Sequence, residues 1–272
     1  GGFVRGSAIL VGGDPGIVKS TLLLQVAGSL AGRVLGVWYA SGEESEHQIK
    51  SRGDRLGVGD APLYLLSETC IERILEEVGR VKPGQKVFIQ AGSGGVGTFA
   101  IQLARHLGAT IATTVSAANA NLVKGLGADV VIDYKTQDFA KILSGYDVVL
   151  NSQDGRTLEK SLGVLGPGGR LVSISGPPDP QFARKQGLNL GLRLLFRLLS
   201  RGIRSRAKRR GVDYSFLFMW AEGEQLGKIA ALIEAGAIRP VVDRVFPFES
   251  TREALAYVES GRAKGKVVVK LR

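Results

Sequence analysis

A single cysteine, Cys70, stands among the 272 residues. That excludes an internal disulfide framework and the small secreted scaffolds built on one. Histidine is almost as scarce, with only His47 and His106. So few thiols and imidazoles rule out a Cys-rich structural zinc site and argue against a catalytic zinc, and no metal is expected. No apolar run approaches the roughly 18 residues that cross a bilayer. No basic, then apolar, then small-residue leader opens the chain, so the cytoplasm is the expected compartment. Methionine occurs once, at Met219; Gly1 is therefore not read as a translation start, and the chain is expected to be a fragment or processed product. Acidic residues are missing from one stretch: residues 184–210 hold ten Lys and Arg and no Asp or Glu. With 36 basic and 25 acidic residues in all, that stretch carries +10 of the +11 net charge. The basic balance describes a segment, not a whole-surface field.

The rest is that of an ordinary globular protein. Hydrophobic residues make up 44% and charged residues 22%, and the length suits one large domain or two small ones. Glycine is abundant, with 38 residues, about twice its usual share. Short apolar runs at 8–11, 34–39, 63–66, 86–90, 110–114, 130–132, 148–150 and 170–174 read as strands, and helical patterns fill most gaps. This alternation predicts an α/β fold with a mostly parallel sheet, whose ligands sit at the carboxyl ends of the strands. Lys82-Pro83-Gly84-Gln85 reads as a turn, and a seam is expected near Val78–Lys82.

Two glycine-rich loops each follow a strand and open a helix. The later one, Ala91-Gly92-Ser93-Gly94-Gly95-Val96-Gly97, fits the dinucleotide fingerprint G-x-G-x-x-G. Its glycines permit a tight turn and close approach of backbone to a pyrophosphate, and the following helix offers free N–H groups to the phosphates. NAD binders usually place an acid about 20 residues on, to hold the ribose hydroxyls. Residues 110–121 contain none, offering Thr113, Thr114, Ser116, Asn119 and Asn121 instead. Small hydroxyls and amides leave room for a 2'-phosphate, so NADP(H) is the expected cofactor.

Residues from Lys82 to Arg272 resemble the C-terminal, cofactor-binding part of a zinc-independent medium-chain dehydrogenase/reductase of the quinone-oxidoreductase type. The resemblance rests on the loop 91–97, on Leu126-Gly127-Ala128-Asp129 with Val131-Ile132-Asp133-Tyr134, on Pro167-Gly168-Gly169-Arg170, and on Gly261-Arg262-Ala263-Lys264-Gly265-Lys266. It implies a Rossmann domain that binds NADPH and passes hydride to a quinone or enone. It places Ser116 and Tyr134 near the 2'-phosphate, Asn151 on the wall of the cofactor cleft, and Phe216 and Phe218 towards the nicotinamide, unless those rings simply pack in the core. It names no catalytic acid, because family members carry a substrate domain of well over a hundred residues ahead of this half. Here about 80 residues of a different character stand there, so catalysis is expected to be impaired or absent. The tail from Gly236 resembles strands of that missing domain, which would be orphaned unless the N-terminal segment or another chain covers them. Unpaired edges invite association, hence a homo-oligomer.

The earlier loop is Gly12-Gly13-Asp14-Pro15-Gly16-Ile17-Val18-Lys19-Ser20. With Lys19-Ser20-Thr21-Leu22 and Ser41-Gly42-Glu43-Glu44-Ser45, residues 1–78 resemble the start of the ATPase core of a RadA-type DNA-repair protein. The resemblance implies phosphate contacts from Gly13, Gly16 and Lys19, a magnesium ligand in Ser20, and a water-orienting acid in Glu43 or Glu44. Val18 stands where the phosphate-loop template has glycine. A stiff β-branched residue there spoils a nest that needs close backbone approach, so ATP and magnesium binding are not expected. The organisation that follows is a chimera: a truncated RecA-like P-loop βαβ segment over 1–79, a Rossmann domain over 80–236, and a short β-rich tail over 237–272. A natural fusion, an assembly artefact or a deliberate recombination would each produce it. The basic stretch 184–210 carries leucines at 188, 190, 192, 194, 195, 198 and 199. It is expected to form a surface helix whose leucines pack on the body or a subunit interface; an acidic partner, an anionic membrane or nucleic acid is the alternative. Competing functions are an ATP-binding DNA-repair fragment and a non-catalytic scaffold.

Overall fold

The structure is a computed structural model and describes residues 19–31, 37–41, 46–58, 63–67, 80–185, 189–217 and 223–270. The first described elements are helix α1 (Lys19–Ala31), β1 (Val37–Ser41), α2 (Glu46–Arg55) and β2 (Leu63–Ser67). Strands and helices then alternate: β3 (Lys86–Ile89), α3 (Gly95–His106), β4 (Thr110–Val115), α4 (Ala120–Gly125), β5 (Val130–Asp133), α5 (Phe139–Ile142), β6 (Tyr146–Asn151), α6 (Gly155–Ser161) and β7 (Leu165–Ser173). Three helices follow, α7 (Pro180–Lys185), α8 (Leu190–Leu199) and α9 (Arg201–Arg209), before β8 (Asp213–Phe216). The chain closes with α10 (Gly223–Glu234), β9 (Val242–Pro247), α11 (Thr251–Glu259) and β10 (Lys266–Lys270).

Six strands form one parallel sheet in the order β5-β4-β3-β6-β7-β8. The order reverses at β3, which lies between β4 and β6. Val87, Phe88 and Ile89 of β3 are all fully buried, because helices cover both faces of the sheet. Their side chains alternate: Val87 and Ile89 pack with α3 in one core, while Phe88 packs in the other, against Phe139 at 5.0 Å and Tyr146 at 6.4 Å between ring centres. The expected turn ahead of β3 is present: Gln85 N–H donates to Lys82 O at 3.1 Å, with Gly84 at φ +83°, a left-handed angle that glycine takes without strain.

A second sheet has the order β1-β2-β10-β9. β1 and β2 are parallel, as are β10 and β9, while β10 meets β2 antiparallel through Val269 opposite Leu65 and Lys270 opposite Tyr64. The N-terminal segment thus covers one edge of the tail, and its strands build a separate small sheet, not an extension of the Rossmann sheet. Leu24, Ala27, Ala31 and Ile49 make a small core between α1 and α2. The strand expected at 8–11 lies outside the described residues.

The basic stretch forms the expected surface helix, but among the described residues its leucines do not pack on the body, which leaves the subunit-interface arm of that expectation: α8 buries none of its ten residues. The aromatic Phe196 instead makes the inward contact, 5.9 Å from the ring of Phe182. Among the described residues, no helix is long and apolar enough to cross a membrane.

Candidate functional site

At the carboxyl end of β3 the chain turns sharply into α3. Ala91 takes a left-handed φ of +51°, and its carbonyl accepts from Gly94 N–H at 2.9 Å. Gly92 N–H donates to Thr114 O at 3.0 Å, and Ala91 N–H donates to Thr114 Oγ1 at 3.2 Å. The turn is therefore tied to the end of β4. Glycine is required at two of its positions. A Cβ on Gly92 would collide with Thr113 Oγ1 and lie 2.9 Å from Ile101 Cδ1. A Cβ on Gly97 would strike Ala91 O and lie 2.6 Å from Gly92 Cα. Gly94 caps α3 in an extended conformation with no side-chain acceptor on the cap, so the positive end of the helix dipole faces outward, as an anion site needs. Gly95 and Val96 form its first turn.

The C-terminal tail closes over this loop. Gly265 N–H donates to Ser93 O at 2.8 Å, and a Cβ on Gly95 would lie 2.9 Å from Lys266 Nζ. Between the loop, the ends of β4 and β5, the start of α6 and the tail lies a cavity of about 1150 Å³. Gly94, Thr114, Ser116 and Tyr134 line it, so four of the predicted cofactor residues share one wall system. Gly92, Gly95, Val96 and Gly97 shape the adjoining turn. Tyr134 is 61% exposed and reaches into open space. Thr114 is mostly buried, and its hydroxyl is already an acceptor for the loop.

Asn151 stands elsewhere. It is fully buried and does not line the cavity. Its Nδ2 donates to Gln90 Oε1 at 2.6 Å, and its Oδ1 accepts from Ser173 Oγ at 2.8 Å and Ser175 Oγ at 3.1 Å. Gln90 Nε2 in turn donates to Ser161 Oγ at 2.7 Å. This polar cluster ties together the carboxyl ends of β3, β6 and β7. Phe216 ends the edge strand β8, with its ring 5.4 Å from Phe182, and does not line the cavity. Lys19 and Ser20 are the first residues of α1. Phe218, Gly13, Gly16, Glu43 and Glu44 lie outside the described residues, as does Cys70.

The cavity also holds side chains that the sequence reading did not single out. Lys135, Arg156, Lys160, Arg262 and Lys264 line it against two acids, Asp138 and Asp154. Lys160 pairs with Asp138 at 3.1 Å, and that bond, with the Ala140 N–H, holds the Asp138 carboxyl below its ordinary range. Asp154 caps α6 through Thr157 N–H at 2.8 Å, and Thr157 likewise holds it low. The remaining cationic excess suits a polyanion. Asn119 Nδ2 donates to Ser93 Oγ at 3.1 Å, while its Oδ1 is buried with no partner among the described residues. A buried acceptor of this kind calls for a donor; the hydroxyls of a ribose are of the right chemistry. The glycine cradle, the open helix end and this acceptor fit a nicotinamide dinucleotide. The basic tail residues could have been noted in the Gly261–Lys266 motif, but nothing in its composition says that it folds back onto a loop 170 positions earlier in the chain.

Comparison with known proteins bears on the family and the fold. A family model described as zinc-binding dehydrogenase matches residues 126–269. The chain is 34% identical over 254 residues to the mitochondrial NAD(P)H oxidoreductase RTN4IP1 of Danio rerio, covering 90% of this chain and 63% of that protein. It therefore spans under two thirds of that relative's length. The solved structure of the quinone oxidoreductase from Coxiella burnetii superposes with a TM-score of 0.61 at 28% identity, over 74% of this chain and 56% of the other. A further similarity, 53% over 83 residues, is to the DNA repair protein RadA of Bacillus subtilis, covering 30% of this chain and 18% of that one. Two dissimilar proteins thus share one chain, as a chimera requires. Among the described residues, no group of three or more His, Cys, Asp or Glu could hold a metal ion.

Proposed function

This chain belongs to the zinc-binding dehydrogenase family of medium-chain dehydrogenase/reductases, and on that premise we propose that it is an NADP(H)-binding oxidoreductase acting on quinones or enones in the cytoplasm. The observation that carries the reading is the glycine turn at the strand-order reversal, opening onto a cavity that has Ser116 where an NAD binder would set an acid and Lys135 on its lining. Parallel sheets bind their ligands at such a reversal.

The roles follow from position. Gly92 and Gly97 keep the turn tight enough for backbone to approach a pyrophosphate. The N–H groups of Gly95 and Val96 at the start of α3 meet its charge. Ser116, Tyr134 and Lys135 surround the place of the 2'-phosphate, with Arg262 and Lys264 closing over it from the tail. When bound, NADPH supplies the hydride; the chain orients it and keeps water from one face. No residue is assigned as a catalytic acid.

The test is thermal unfolding in parallel with NADPH, NADH and ATP–Mg over a concentration series. A ligand at a hundred times its dissociation constant stabilises by about 2.7 kcal/mol. NADPH should shift the transition, NADH less so, and ATP–Mg not at all. A shift with ATP–Mg alone would sink the reading, as would the absence of any shift with NADPH.

A further inference from the structure

Away from the cavity, the helix pair α8–α9 presents a surface that the oxidoreductase reading does not use. In α8, Leu190, Leu194 and Leu198 recur every four residues and are 80%, 58% and 57% exposed. Leu195 and Leu199 flank them and are also exposed. A helix with this many leucines normally buries them; here the helix is held by its Asn189 cap, which accepts from Leu192 N–H at 3.0 Å, and by Phe196. An exposed apolar patch of this size marks an interaction site.

α9 is anchored differently. Ile203 and Ala207 are buried in the core of the main sheet, and this fixes Arg201, Arg204 and Lys208 on the outer side. These three, with Arg197, Leu194 and Leu198, line a groove of about 470 Å³ between the helices. Arg206 pairs with Glu159, but Arg197, Arg201, Arg204 and Lys208 have no acidic partner among the described residues. Leucines and unpaired cations therefore share one rigid ledge. Nucleic acid would satisfy the cations and leave the leucines in water. A purely apolar protein partner would cover the leucines and strand the cations. An anionic phospholipid surface satisfies both, with leucines at the acyl boundary and guanidinium groups among the headgroups.

We propose that α8–α9 docks this protein peripherally on an anionic phospholipid membrane. The test is co-sedimentation of the full chain with vesicles of phosphatidylcholine alone or mixed with phosphatidylglycerol. Two variants accompany it, R201E/R204E/K208E and L194Q/L198Q. All five positions are on the surface, and circular dichroism with thermal unfolding verifies that each variant is folded. The wild type should bind the mixed vesicles and not the neutral ones. The charge variant should bind at least about a hundredfold more weakly, since each basic residue near such a surface contributes about fivefold and the three substitutions also introduce repulsive charge. The leucine variant should lose about tenfold. Equal binding to both vesicle types, or no binding, overturns the proposal. So does a leucine variant that binds like the wild type, the result expected of a nucleic-acid surface, which retention of duplex DNA would then identify. A dimer in solution that L194Q/L198Q dissociates would assign the ledge to a second copy instead.

Discussion

Single atoms decide whether the glycine turn can form. The Gly97 site has no room for a methyl group, with Ala91 O and Gly92 Cα on either side. Gly97→Ala should cost about 1–3 kcal/mol by overpacking and abolish the NADPH-dependent thermal shift, both measurable by urea unfolding and a ligand titration. Gly125→Ala is the control: a Cβ there meets nothing within 4 Å, so stability and binding should hold. A Gly97→Ala protein that still binds NADPH would show that the turn is not the phosphate site. The fingerprint itself was legible because its chemistry is local. Asn151 was not. The resemblance puts it on the cofactor cleft, but its three partners, Gln90, Ser173 and Ser175, come from segments up to 61 positions away, and no local pattern reveals which neighbours a buried amide will find.

Elements were legible where burial on two faces made them continuous apolar runs, as in β3, β4 and β6. The edge strand β8, Asp-Tyr-Ser-Phe, is only half-buried and carries no such signal. Helix α8 shows the opposite case, since its leucines obey the pattern of a packed helix yet are exposed in the single chain. The short helix α6 offers a test of its cap. Thr157 holds the Asp154 carboxyl below the ordinary 3.8, so the cap stabilises the fold at pH values above that range. Its contribution is lost as pH falls through the lower folded value. The stability difference between wild type and Asp154→Ala should thus be constant above about pH 5 and close towards zero in stronger acid, in a pH series of urea unfolding. A difference that grew on acidification would refute the capping role.

The whole molecule is held by pairings that no sequence window contains. Leu65 meets Val269 across 204 positions, a separation over which no local pattern names the tail's partner. Removing residues 1–79 should leave the six-stranded sheet and the NADPH response intact, while baring the β10 edge. The truncated protein should then associate with rising concentration, as light scattering would report; a monomer at all concentrations would mean that β2 is not needed to guard that edge. The same strand has another consequence. The residues that lean on Ser93 and Gly95 run directly into β10, and β10 is hydrogen-bonded to β2. Whatever occupies the glycine turn therefore braces, at one remove, the two strands that the RadA-like half contributes to the second sheet. Amide exchange at Leu65 should slow when NADPH is added, and by reciprocity loosening β2 should weaken the dinucleotide. The two halves would then have acquired a thermodynamic conversation that neither parent possessed.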